Sequence, residues 1–142
     1  MRRQNIGLKG FLEGFPNGML SAITLIAILW LTLAPKPLGD ETPDLFPGAD
    51  KVVHGIMFGF LTAMFLLDWQ RRHDWLPVKR QRAFFSGIVS AVIGVLIEFA
   101  QLLMGLGRGF EYSDIAADTI GAGVVAIAWL PAERLWSASG GR

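Results

Sequence analysis

The sequence predicts an all-α, polytopic membrane protein: a single domain over residues 1–142, with four transmembrane helices in a compact bundle and both termini in the cytoplasm. Three observations carry this prediction. The chain is 52% hydrophobic and only 18% charged, whereas soluble domains carry nearer a quarter charged residues. The charges are segregated, leaving apolar stretches close to the ~20 residues that cross a bilayer. The basic residues gather at the two ends and in one middle loop, which is how cytoplasmic segments are marked.

The first span, about 19–34, reads "MLSAITLIAILWLTLA" and is ended by Pro35 and Pro37. It is short, and Phe15 is a candidate extension. A cleavable signal peptide is the rival reading. It is disfavoured because nothing after Ala34 resembles a small-residue cleavage site and three more spans follow. The second span runs over about 52–69, and the third, the longest, over about 83–106. The fourth covers about 115–130 and is expected to stop at Pro131. No low-complexity segment and no separate soluble domain interrupts this series. With no cysteine there are no disulfides, thiolate nucleophiles or thiolate metal ligands.

Orientation follows from ten basic residues on one side: Arg2, Arg3, Lys9, Arg71, Arg72, Lys79, Arg80, Arg82, Arg134 and Arg142. Against them stand three, Lys36, Lys51 and Arg108. The positive-inside rule places the richer side in the cytoplasm. Trp69, Trp75, Trp129 and Trp136 then form an interfacial belt on that side, with Trp30 near the outer face. Acidic residues contribute little to topology. Asp40, Glu41, Asp44, Asp50, Glu98, Glu111, Asp114 and Asp118 nevertheless fall on or toward the outside, and so need another explanation.

Alternating helix direction supplies one. Asp50, Lys51 and His54 open the second span, Glu98 and Gln101 close the third, and Asp114 and Asp118 open the fourth. Arg108 lies in the short outer loop between the last two. At about 1.5 Å of rise per residue, His54 and Asp118 sit about 6 Å below the starts of their helices, and Glu98 about 12 Å below the end of its own. Asp50 and His54 are i, i+4, as are Asp114 and Asp118, while Glu98 and Gln101 are i, i+3, so each pair shares a helix face. In the third span that face is Gly87, Ala91, Gly94, Glu98, Gln101 and Gly105, a small-and-polar stripe that admits a close neighbour. Gly121 continues the face of the fourth span, and Gly55 and Gly59 that of the second.

Structural readings compete with functional ones at several of these positions. Asp50 and Asp114 have the placement of helix N-caps. His54 could be a satisfied core histidine, and Arg108 a partner for lipid phosphates or Glu111. Glu98 is different, because a carboxylate at that depth costs a few kcal/mol unless paired or protonated, and marks a functional site by default. It is expected to be neutralised by a proton or by a charge-assisted bond to Arg108. Glu111 and the loop acids are expected to be solvated.

The same residues carry a family resemblance. "DKVVH" (Asp50 to His54), "E-x-x-Q" (Glu98, Gln101), Arg108, Asp114 and "DTIG" (Asp118 to Gly121) resemble the VanZ-like family, whose pattern reads roughly Asp-Lys-x-x-His, Glu-x-x-Gln, Arg, Asp, Asn-x-x-Gly. Asp118 departs from it, standing where many members have Asn. The resemblance implies a multi-pass protein of the bacterial inner membrane, in a family of small membrane proteins named for one linked to low-level teicoplanin resistance. It further implies a role at the cell envelope, on a lipid-linked glycan, another surface polymer or a lipoglycopeptide antibiotic.

Two functions compete most closely. In the first, an accessory protein binds an amphipathic envelope molecule through Asp50, Lys51, His54, Glu98, Gln101, Arg108, Asp114 and Asp118. Lys51 and Arg108 meet its anionic groups and the small-residue stripe accommodates its acyl part. In the second, an outer-leaflet enzyme uses His54 with Glu98 or Asp118 for acid–base or metal-assisted chemistry. A proton-coupled transporter ranks last, since the charges stop in the outer third. Gly87, Gly94, Gly105 and Gly121 are expected to serve helix packing. No cofactor and no metal is expected, because one histidine with scattered acids has no diagnostic ligand spacing. The bilayer is the expected partner, an oligomer is left open, and nucleic acid is not expected.

Overall fold

A computed structural model describes residues 7–35, 37, 46–105 and 110–139, with the side chains of all of these but 133, 134 and 136–139. These residues form five helices: α1 (Leu8–Glu13), α2 (Met19–Leu33), α3 (Ala49–Arg72), α4 (Arg80–Met104) and α5 (Tyr112–Ser139). The helices α3 and α4, and the segment Tyr112–Ala132 of α5, are long and apolar enough to cross a membrane. The 15 residues of α2 are apolar but shorter, rising only about 22 Å at the usual 1.5 Å per residue.

Local chemistry sets the helix ends. Gly18 adopts φ 83°, a left-handed conformation that breaks the helix before Met19. The first span therefore does not extend to Phe15, and the chain turns into the separate short helix α1. At its other end Ala34 is extended, ψ 139°, as the ring of Pro35 demands of the residue before it. Gly48, also left-handed, starts α3 three residues ahead of the expected boundary. Asp50 thus lies inside the first turn rather than at the cap. The expectation that Pro131 ends the last helix is also corrected, since α5 continues through it to Ser139. Proline removes one N–H bond from the ladder, and here the flanking turns persist.

The closest packing is between α3 and α5, followed by α4 on α5, with α2 laid against α3 and α4. Ile28, Phe58, Leu61 and Ile97 form one buried apolar cluster, and Leu66, Val78 and Ala83 a second toward the α3–α4 connection. Outward-facing Ile56, Phe60, Ile88, Val92, Leu96, Ile120 and Val124 are exposed, as residues bathed in lipid chains would be. Polar ties stitch the helices from inside. Midway along, the Thr62 and Ser90 hydroxyls are hydrogen-bonded to each other at 2.9 Å, with both residues fully buried. Thr62→Val removes this bond at nearly constant volume. It is expected to cost about 0.6 kcal/mol, the average for interhelical bonds in membranes, measured as a shift in thermal unfolding in detergent.

At the end where α3 meets α4, Asp68 accepts from the Ser21 N–H at 2.9 Å, from Ser21 Oγ at 2.7 Å and from Arg71 at 2.9 Å. Arg71 also donates to the Phe15 carbonyl. Trp75 Nε1 donates to Glu13 and so holds α1 against this end. A cavity of about 410 Å³ opens here beside Ser21, Asp68, Arg72, His73, Arg82 and Ser86.

Candidate functional site

The opposite end gathers the start of α3, the end of α4 and the start of α5. His54 projects from the second turn of α3, and its Nδ1 lies 3.0 Å from Asp118 Oδ1 of α5. Asp118 is fully buried. It can lie there because Gly94 of α4 faces it: a Cβ at Gly94 would stand 2.6 Å from Asp118 Oδ2. An ionised Asp118 makes His54 donate from Nδ1, leaving the lone pair on Nε2. That nitrogen faces Asp114 Oδ2 across 4.0 Å, too far for a hydrogen bond.

Glu98 is wholly buried. Its Oε2 accepts the backbone N–H of Glu111 at 3.1 Å, and its Oε1 has no partner among the described residues. Donor atoms of His54, Glu98 and Asp114 all lie within 4.8 Å of one another. Above this trio Lys51 is ringed by carboxylates: Asp50 and Glu111 at 2.6 Å, and Asp114 Oδ1 at 2.7 Å. The last is a close ion pair, which the Lys51 ammonium makes alongside its hydrogen bonds to Asp50 and Glu111. The Lys51 ammonium, through its hydrogen bond and its charge, holds the Glu111 carboxyl below the usual carboxylate range.

A family model described as VanZ/LLP1 matches residues 15–133. The chain belongs to the VanZ/LLP1 family. No curated protein and no solved structure matches it. The matched region contains all of the three long apolar helices except the last turns of α5, and this VanZ/LLP1 chain is therefore a membrane protein by family and by composition.

The tertiary fold brings together Asp50, Lys51, His54, Glu98, Asp114 and Asp118, and sends Gln101 elsewhere. Gln101 Nε2 donates to the Thr32 carbonyl at 2.9 Å, which lies in the last turn of α2, where carbonyls lack intrahelical donors. Arg108 lies outside the described residues. The cap reading of Asp50 and Asp114 is replaced: neither is the cap residue, and both meet Lys51. Lys51, expected to meet a ligand's anionic group, is held by the protein's own carboxylates. Glu111, expected to be solvated, joins the cluster through both its backbone and its side chain. Its i, i+3 spacing from Asp114 was the available signal. Gly105 makes no packing contact among the described residues. It caps α4 with φ 60°, and nothing lies within 4 Å of a Cβ built there.

The small-residue stripe of α4 is occupied by α5, with Asp118 over Gly94 and Ala126 over Gly87, so it leaves no room for an acyl chain. An apolar groove of about 660 Å³ instead runs between α3 and α5, with Lys51 at its polar end and Gly55, Ile56, Gly59, Phe60, Ile120 and Val124 along it. Gly94→Ala is expected to displace Asp118 from His54 and destabilise the VanZ/LLP1 fold by about 1–3 kcal/mol, the usual cost of overpacking. The displacement reads out as a changed Nδ1 shift in ¹⁵N NMR of the imidazole.

Proposed function

We propose that this VanZ/LLP1 protein binds an amphipathic envelope molecule, such as a lipid-linked glycan, another surface polymer or a lipoglycopeptide. The acyl part lies in the α3–α5 groove and the polar head at the His54 cluster. The observation that carries this reading is the groove's continuity with the cluster at Lys51. An apolar trough that faces lipid and ends at charged groups matches the two halves of such a ligand. Because Lys51 is already neutralised, hydroxyl and amide groups are better partners for the cluster than a phosphate: Asp114 and Glu98 can accept from them. The basic-residue asymmetry orients the molecule in the inner membrane, with four spans, both termini cytoplasmic and the cluster at the outer leaflet.

Mass spectrometry of lipids retained by the purified protein tests this. Wild type should retain one amphiphile class in stoichiometric amount. Ile120→Trp, which fills the groove from an exposed position, should reduce retention at least tenfold. Equal retention in wild type and Ile120→Trp would sink the groove assignment.

The His54–Asp118 pair favours a second reading, an outer-leaflet enzyme. A buried carboxylate holding one imidazole nitrogen leaves the other able to take a proton from a substrate hydroxyl or water. Under this reading His54→Ala retains the bound amphiphile intact, while wild type accumulates its cleaved or transferred product. Identical lipid profiles for the two would leave only binding.

A further inference from the structure

We propose that His54 Nε2, Glu98 and Asp114 form a binding site for one divalent transition-metal cation, with Asp118 orienting the imidazole. The site shares His54, Glu98 and Asp114 with the head-group position proposed above, but does not rest on the lipid groove. Three donor atoms, no two more than 4.8 Å apart, share a point within about 2.8 Å of all of them, against the 2.0–2.2 Å of a bound Zn²⁺. Side-chain adjustments of about 0.6–0.8 Å close that gap. The 4.0 Å between His54 Nε2 and Asp114 Oδ2 is too long for a hydrogen bond yet within the span of two ligands on one ion.

Two further observations point to a cation rather than to a passive acidic cluster. Glu98 is wholly buried with Oε1 unpartnered among the described residues, and one of its oxygens lies in the donor trio. A buried carboxylate oxygen without a donor is costly, and a metal ion supplies what is missing. The second observation is the Asp118–His54 Nδ1 contact at 3.0 Å. Metal-bound histidines commonly donate their other nitrogen to a carboxylate, which fixes the tautomer and presents the lone pair to the ion. Charge agrees: among the described residues, five carboxylates (Asp50, Glu98, Glu111, Asp114, Asp118) face one lysine and one histidine. The neighbouring trio Asp50, Glu111 and Asp114 is also close-set, but the Lys51 ammonium already occupies its centre.

One imidazole with two carboxylates suits Mn²⁺, Fe²⁺ or Zn²⁺ over the harder Mg²⁺ and Ca²⁺. The test is Mn²⁺ and Zn²⁺ titration of the full-length protein, stripped with chelator, in detergent. The expected result is one ion per chain, ¹⁴N coupling to Mn²⁺ in pulsed EPR, and at least tenfold weaker binding in Glu98→Gln and His54→Gln. Asp118→Asn should weaken binding about 10–100-fold, as loss of an orienting carboxylate does elsewhere. Ile120→Trp, which blocks the groove, should bind metal as wild type does, whatever lipid it retains. Should Glu98→Gln not fold, Asp114→Asn reads the same ligand set. The proposal is overturned by absence of stoichiometric binding, by Mn²⁺ binding without ¹⁴N coupling, by Mg²⁺ binding as tight as Mn²⁺, or by unweakened binding in the ligand variants.

Discussion

Gly121→Val is expected to prevent α3 and α5 from packing and to destabilise the bundle by at least about 3 kcal/mol, the upper end of the cost of overpacking. A Cβ at Gly121 would stand 2.8 Å from the Gly55 Cα and run into the Gly55 carbonyl. The obstacle is main chain, so no rotamer change relieves it. The helices would have to part, which also separates Gly59 from the Gly121 carbonyl and Val125, now 3.1 Å from where a Cβ of Gly59 would lie. Since His54 and Asp118 ride on these two helices, their 3.0 Å contact is lost with the packing. Gly123→Val provides the control: it lies two residues along the same helix, and among the described residues nothing lies within 4 Å of its Cβ position. Thermal unfolding and monodispersity in detergent should separate the two variants clearly. Equal stability of Gly121→Val and Gly123→Val would refute the close approach.

Asp68→Ala is expected to cost about 3–5 kcal/mol, the penalty for removing one partner of a buried ion pair. The Arg71 side chain is 3% exposed and would remain charged with its carboxylate gone. Asp68 also caps another helix. Ser21 is the third residue of α2, and its N–H is one of the first four that have no intrahelical acceptor. The carboxylate therefore places a negative charge at the positive end of α2, which stabilises it further. Hydrogen exchange at the Ser21 amide should accelerate in the variant, and Asp68→Ala with Arg71→Leu should recover part of the loss. A double variant no more stable than Asp68→Ala alone would show that the stranded charge is not the main cost.

The two ends of the bundle differed in how far residue patterns revealed them. At the His54 end, alternating helix direction and i, i+4 spacing sufficed to put Asp50, His54, Glu98, Asp114 and Asp118 in one layer. At the other end nothing in the spacing of Ser21 and Asp68, 47 residues apart, announced a shared hydrogen bond. Gln101 shows the converse error. Its i, i+3 relation to Glu98 gave it the right face, but its amide donates to the Thr32 carbonyl at the end of α2.

By itself, the sequence determined the helical class, the long apolar segments and the end of the bundle at which most carboxylates collect. Each follows from short-range rules: the length needed to cross a bilayer, the 3.6-residue repeat and the reversal of direction at each loop. Only the tertiary structure decided which donor meets which acceptor. Lys51 is consumed by three carboxylates, Asp118 fills the space left by Gly94, Glu111 folds back over Glu98, and α5 continues through Pro131. These choices depend on how closely two helix backbones approach and on their rotation about their axes. Both are set by the sum of many side-chain contacts between helices, which residue spacing along one helix does not encode.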